Sequence, residues 1–185
     1  MTESGSIQAC RAWVQQVVIG LDLCPFAERT QACGRMRIQV CDQAGLDHAL
    51  EALLDEVTWL DANPEMDTTL LVVTGARFED FERYLDLLAC AEQLLIDEGY
   101  EGVYQLASFH PDYQFEGTEP ADPENYSNRS PQPILQVLRE ASVTRAVDAY
   151  EDAEGIPERN IARLRALGND TLQAHLDACA ADNDG

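Results

Sequence analysis

The sequence predicts an α/β layer fold: a small, mainly parallel sheet of about three strands flanked by helices, with extra helices at both ends. Three observations carry this. Arg35 to Cys41 alternates, with Met36, Ile38 and Val40 on one face. Thr68 to Thr74 (TTLLVVT) is apolar through its centre, as in a strand buried on both sides. Long helical stripes separate these from each other and from a third strand, so the series reads β-α-β-α-β, which crossover connections turn into parallel strands. A ferredoxin-like α+β arrangement is the alternative if an unrecognised strand pairs antiparallel.

In chain order, Ile7, Cys10, Val14, Val17, Val18 and Leu21 recur at helical spacing after Ser4 and Ser6 as possible caps, up to Pro25, which opens a new turn. The strand at Arg35 follows. Leu46, Leu50, Leu53, Val57 and Leu60 form a helical stripe that stops near Asn63-Pro64. After the buried strand, Phe78 to Glu98 reads as a second long helix ended by Gly99, and Val103 to Phe109 as the third strand. Helix signals resume at Ser130-Pro131, near Thr144 and at Ile156-Pro157, the last ending at Gly168. A final helix from about Asp170 to Ala181 trails into a frayed acidic end. No repeat, linker or second core is visible, so residues 1–185 are read as a single domain.

Composition narrows the function classes. A 45% hydrophobic share is that of a globular chain, and the net charge is -22. All 12 basic residues are Arg, which excludes a Schiff-base lysine and a phosphate-loop lysine. So acidic a surface disfavours nucleic acid and anionic membranes. Screening beyond about 8 Å still lets a local Arg cluster take a small anion. The opening MTESGSIQAC has no basic n-region or apolar h-region, and no apolar run reaches the roughly 20 residues of a membrane span, so a cytoplasmic location is expected. Six cysteines include no C-x-x-C pair. With no G-x-G-x-x-G and no Walker sequence, no cofactor is evident. His48 and His175 fall on helices without partners and receive no role.

The segment Ser108 to Pro133 has neither a helical nor a strand repeat, and a loop of that length in a compact domain is usually functional or disordered. It starts at the carboxyl end of the third strand, where ligands bind in open α/β sheets. Its polar residues supply the candidate site. His110 is a candidate general acid or base. Tyr113, Asn125, Asn128, Arg129 and Ser130 can converge on a substrate, with Ser130-Pro131 as a helix start whose free N–H groups favour an anion. Arg139, one to two turns on, is a weaker member. The competing reading is that Asn125, Asn128 and Ser130 only satisfy the loop's own backbone. Cys24, placed before Pro25 at a helix start, is a candidate nucleophile, against the plainer reading of an inert thiol between Leu23 and Phe26. Asp112, Glu116, Glu119, Asp122 and Glu124 raise a metal option with His110 and Asp112, although a solvated acidic loop is the simpler account.

Taken together, LDLCPFA (Leu21 to Ala27), ASFHPDYQF (Ala107 to Phe115), ENYSNRSPQP (Glu124 to Pro133), LREAS (Leu138 to Ser142) and IPERNIARLRALG (Ile156 to Gly168) resemble a bacterial family known as domain of unknown function 1415. The resemblance implies that Cys24-Pro25-Phe26, His110-Pro111, Asn125, Asn128 to Pro131 and Arg139-Glu140 are motif positions. It departs at Gln132 and Gln136, where the family pattern carries an aromatic residue and a His.

The expectation is a cytosolic hydrolase or group transferase for a small anionic metabolite, with Cys24 and His110 as the reacting pair and an Arg129 anion pocket. The rivals are a non-catalytic ligand-binding or adaptor protein, a redox sensor pairing Cys24 with Cys33, and a metalloenzyme.

Overall fold

The computed structural model describes residues 2–181. Helix α1 (Glu3–Trp13) is capped by Thr2, whose hydroxyl accepts the Gly5 amide, rather than by Ser4 or Ser6, and continues as a π-helical turn, Val14–Ile19. Then come α2 (Ala27–Ala32), β1 (Met36–Cys41), α3 (Leu46–Ala62) and β2 (Thr68–Val73). A 3-10 turn, Ala76–Glu79, leads into α4 (Phe81–Asp97), which Asp80 caps through the Arg83 amide. β3 (Tyr104–Phe109) follows, then a 3-10 turn, Pro123–Ser127. The chain closes with β4 (Ile134–Arg139), α5 (Glu140–Asp148), α6 (Ile156–Leu167) and α7 (Asn169–Ala181). The frayed acidic end expected after Ala181 lies outside the described residues.

The fold is mixed α/β, with a four-stranded sheet in the order β1-β2-β4-β3. β1 and β2 are parallel, while β4 is antiparallel to both of its neighbours, β2 and β3. The expectation of a mainly parallel, three-stranded sheet is therefore corrected. The segment after Ser130-Pro131, expected to be helical, is β4. Its alternation puts Leu135 and Val137 in one core and Ile134 in the other. The unrecognised antiparallel strand that the alternative required is present. Yet the chain order β-α-β-α-β-β, with helices on both faces, is not the ferredoxin-like β-α-β-β-α-β.

Two apolar cores share the sheet. On one face, Leu53, Val57 and Leu60 of α3 and Tyr84, Leu87 and Ala91 of α4 bury Leu71, Val73, Leu135 and Val137. On the other, Trp13, Val17, Leu164, Leu172 and Leu176 cover Leu70, Val72 and Ile134. All six residues of β2 are buried, as its apolar run predicts. The second face is covered unevenly. α5, which follows β4 directly, buries none of its side chains, so the part of the sheet around Gln105, Ala107, Gln136 and Leu138 is left open.

Candidate functional site

The long segment from His110 to Pro133 is a folded unit organised around Asn125, which is fully buried. The Asn125 carboxamide oxygen accepts from the Phe115 amide (3.1 Å) and the Thr118 hydroxyl (2.9 Å), and its nitrogen donates to Glu119 O (2.8 Å). Arg129 donates to the carbonyls of Tyr113 (3.2 Å) and Pro120 (2.7 Å) and lies over the Tyr126 ring. Asn128 donates to Ser108 O, and its own carbonyl accepts the His110 amide. Ser130 donates to Gln132 O. Tyr113 packs its ring against Phe81 and Phe115. Other elements pin the unit from outside. The Trp13 indole donates to Arg129 O, Tyr126 to Gln173, and Arg165 pairs with Glu124, holding that carboxyl below its usual range.

The expected anion pocket is therefore corrected. No helix begins at Ser130, and the polar groups of Asn125, Asn128, Arg129 and Ser130 serve the loop's own backbone. Arg139, at the end of β4, donates to Leu60 O (2.6 Å) and Met66 O (3.2 Å) and lies over Tyr104. Leu60 is in the last turn of α3, where its carbonyl also accepts the Asn63 amide (3.1 Å), so Arg139 adds a second, charged donor at that helix end.

His110 is fully buried on the α3/α4 side, against the rings of Phe81 and Tyr84. Its Nε2 faces Phe78 O at 3.0 Å and its Nδ1 faces the Asp112 amide at 3.0 Å. A carbonyl only accepts and an amide only donates, so the ring is the neutral Nε2–H tautomer with both nitrogens in use. Burial pushes its pKa below the ordinary 6.5, against the opposing pull of the Phe78 and Glu79 backbone and the Asp112 and Asp80 charges. Cys24 lies across the sheet. It borders the open face with Gln105, Ala107 and Phe109, whereas His110 continues the alternate face of β3. The Cys24–His110 pair is not formed.

A large groove occupies that open face, a cavity of about 1390 Å3. Its floor is the sheet: Thr68 and Leu70 of β2, Gln105, Ala107 and Phe109 of β3, and Gln136 and Leu138 of β4. Gln136 donates to the Thr68 hydroxyl (3.1 Å), which donates to Val137 O (2.7 Å). One wall is Cys24-Pro25-Phe26, another α5 and Tyr150, and a third the inner side of the long loop, Phe115, Thr118, Ser127 and Asn128. Phe26 and Tyr150 meet edge to face across it, with ring centroids 5.7 Å apart. The Cys24 wall is fixed from α6. Asn160 donates to Leu23 O (2.8 Å), and Arg163 pairs with Asp22 (3.0 Å), whose φ of 50° places it in the left-handed region. The LDLCPF and IPERNIAR motifs are thus bonded to each other.

At the groove the Cys24 thiol is half-buried. Burial raises its pKa, although the Phe26 and Ala27 amides act to lower it. Cys24 and Cys33 flank α2, six residues that rise about 9 Å, beyond the roughly 7 Å Cα limit of a disulfide. Among the described residues no group of three or more His, Cys, Asp or Glu side chains is placed to hold a metal ion. Asp112 engages His110 through its amide. No helix among them is long and apolar enough to cross a membrane.

Of the residues singled out in the sequence, the groove unites Cys24 and Asn128; Asn125 and Arg129 shape its loop wall from behind. Gln136 is on the floor. Sequence reasoning missed Arg35, Asp67, Gln105, Phe109 and Arg145, which line the groove from four separate stretches of the chain, Gln105 and Phe109 both being on β3.

Residues 5–174 match the model of a family described as a protein of unknown function, DUF1415. No curated protein and no solved structure matches the chain.

Proposed function

The chain belongs to the DUF1415 family, whose description names no activity, and we propose from the groove itself that the protein binds a largely apolar small molecule against the open face of its sheet. The observation that carries this is a cavity of about 1390 Å3 whose walls are mainly apolar and aromatic, with a few polar groups on its floor. Pockets for drug-sized ligands have this make-up and commonly occupy about 300–1,000 Å3. Left empty, such apolar surface loses its dispersion contacts and solvation balance, and a ligand restores both. The non-catalytic ligand-binding alternative is favoured because the histidine proposed as base is spent on Phe78 and Asp112.

The test is a fluorescence titration with N-phenyl-1-naphthylamine, a neutral probe that brightens in apolar sites. Saturable one-site binding by the native chain, lost in Ala107→Trp with the far-UV spectrum retained, supports the reading. Absence of binding, or unchanged binding by Ala107→Trp, contradicts it.

A second reading, group transfer through Cys24, rests on the Phe26 and Ala27 amides that face the thiol. It requires Cys24 to alkylate with an apparent pKa below that of a free thiol. The buried thiol predicts the reverse, with the rate still rising above the ordinary cysteine range.

A further inference from the structure

We infer that the ligand of this groove is an amphipathic acid, its anionic head held by Arg35 and Arg145 and its apolar body lying along β3 and β4. The inference rests on the groove reading above and adds the chemical class and orientation of the ligand.

The 12 arginines are not used alike. Several are fully engaged within the fold. Arg129 and Arg139 hold carbonyls, and Arg37, Arg159, Arg163 and Arg165 have carboxylate partners. At one end of the groove the pattern differs. Arg35, just before β1, and Arg145, on α5, share a single carboxylate, Asp67, just before β2. Both contacts are long, 3.9 Å and 3.7 Å, beyond hydrogen-bond reach. The Asp67 carboxylate already accepts the Ser142 hydroxyl at 2.7 Å, and one Arg145 nitrogen donates to that same hydroxyl at 2.9 Å. The two arginine side chains are 47% and 65% exposed against 19% for Asp67, so their remaining donors are open to solvent while the acid is more deeply set.

Arg29 also lines the groove, and among the described residues its guanidinium has no ion pair or hydrogen bond. Against these three cations stand Asp67 and Asp148, since Glu124 is paired with Arg165. A local cationic excess in a chain of net charge -22 opposes the prevailing field. Planar guanidinium forks match the oxygens of a carboxylate or phosphate.

From this end the floor runs away from solvent. Gln105 to Phe109 is four strand steps, about 13 Å, ending among Phe109, Phe115 and Trp13. A ligand with one anionic end and an apolar chain or fused-ring body of that length meets charge with charge and apolar surface with apolar surface. The Gln136 carboxamide offers one polar contact midway.

The experiment compares N-phenyl-1-naphthylamine with 1-anilinonaphthalene-8-sulfonate, the same body carrying an anionic group, on the native chain and on Arg35→Gln/Arg145→Gln. The expected result is that the native chain binds both and the double variant loses about tenfold in affinity for the sulfonate, with the neutral probe within twofold. Unchanged sulfonate binding with retained neutral binding overturns the acid-head inference and leaves the groove reading standing. Binding of neither probe brings both down. Displacement of the neutral probe by decanoate or by decyl phosphate then distinguishes a carboxylate from a phosphate head, and displacement by neither also overturns the inference.

Discussion

Replacing His110 with Ala removes a fully buried ring bonded at both nitrogens. It leaves Phe78 O without a donor in the interior, which costs about 1–3 kcal/mol. The Asp112 amide is only partly buried, so water can replace Nδ1 there. Losing the ring that packs against Phe81 and Tyr84 removes packing as well, and the sum is about 2–4 kcal/mol. For a chain of this size each kcal/mol moves Tm by about 2–4 °C, so the variant melts about 5–15 °C below the native chain. A second signature is independent of packing. The folded pKa of His110 lies below 6.5, so between the two values the unfolded chain binds more protons than the folded one. Stability from this group is complete above about pH 6.5 and falls as the pH drops towards the folded pKa, with a slope of at most about 1.4 kcal/mol per pH unit. Urea unfolding between pH 7.5 and 5.5 should show that loss in the native chain, and the slope should be shallower in His110→Ala. Equal slopes for the two, or a variant as stable as the native chain at pH 7.5, would refute the account of His110 as a buried neutral hydrogen-bonder. A depressed pKa alone would also suit a catalytic base; the simultaneous loss of fold stability would not.

Asn125→Ala strips the long loop of three hydrogen bonds at a buried centre and should cost about 2–4 kcal/mol. Limited proteolysis should then cut within residues 110–133 in the variant and spare the native chain. Arg139→Gln removes the donors to Leu60 O and Met66 O and should lower the urea midpoint by the equivalent of about 2–3 kcal/mol. Because its guanidinium lies over Tyr104 rather than on the groove, affinity for the anionic probe should stay within twofold. Gly168→Ala places a side chain at φ 76°, ψ 159°, a region open essentially to glycine alone, and should cost about 1–3 kcal/mol with no effect on probe binding.

The helices α3 and α4 and the strand β2 were legible because each obeys one period. Leu46 to Leu60 repeats at helical spacing on one face, and TTLLVV is apolar where both faces are covered. β4 was not, because ILQVLR is nearly continuous in apolar residues and follows Ser130-Pro131, a good helix start. Only its place between β2 and β3, buried on both faces, decides for a strand. The same ambiguity displaced the anion site, since without that helix Ser130 turns to Gln132 O. The partners of His110, Phe78 O and the Asp112 amide, are main-chain groups that side-chain identity does not reveal. The groove was illegible for a different reason. It exists because α5 buries none of its side chains and leaves that part of the sheet open, a matter of helix placement, and its arginines, Arg35 and Arg145, are far apart in the chain.

The groove account is tested most directly by alkylating the native chain with and without saturating N-phenyl-1-naphthylamine and following each cysteine by mass spectrometry. Cys24 is in the groove wall, whereas Cys33 and Cys90 are exposed elsewhere and serve as internal references. Occupancy of the groove predicts that Cys24 slows by about fivefold or more while Cys33 and Cys90 keep their rates. Probe binding with an unchanged Cys24 rate would place the ligand elsewhere and contradict the account.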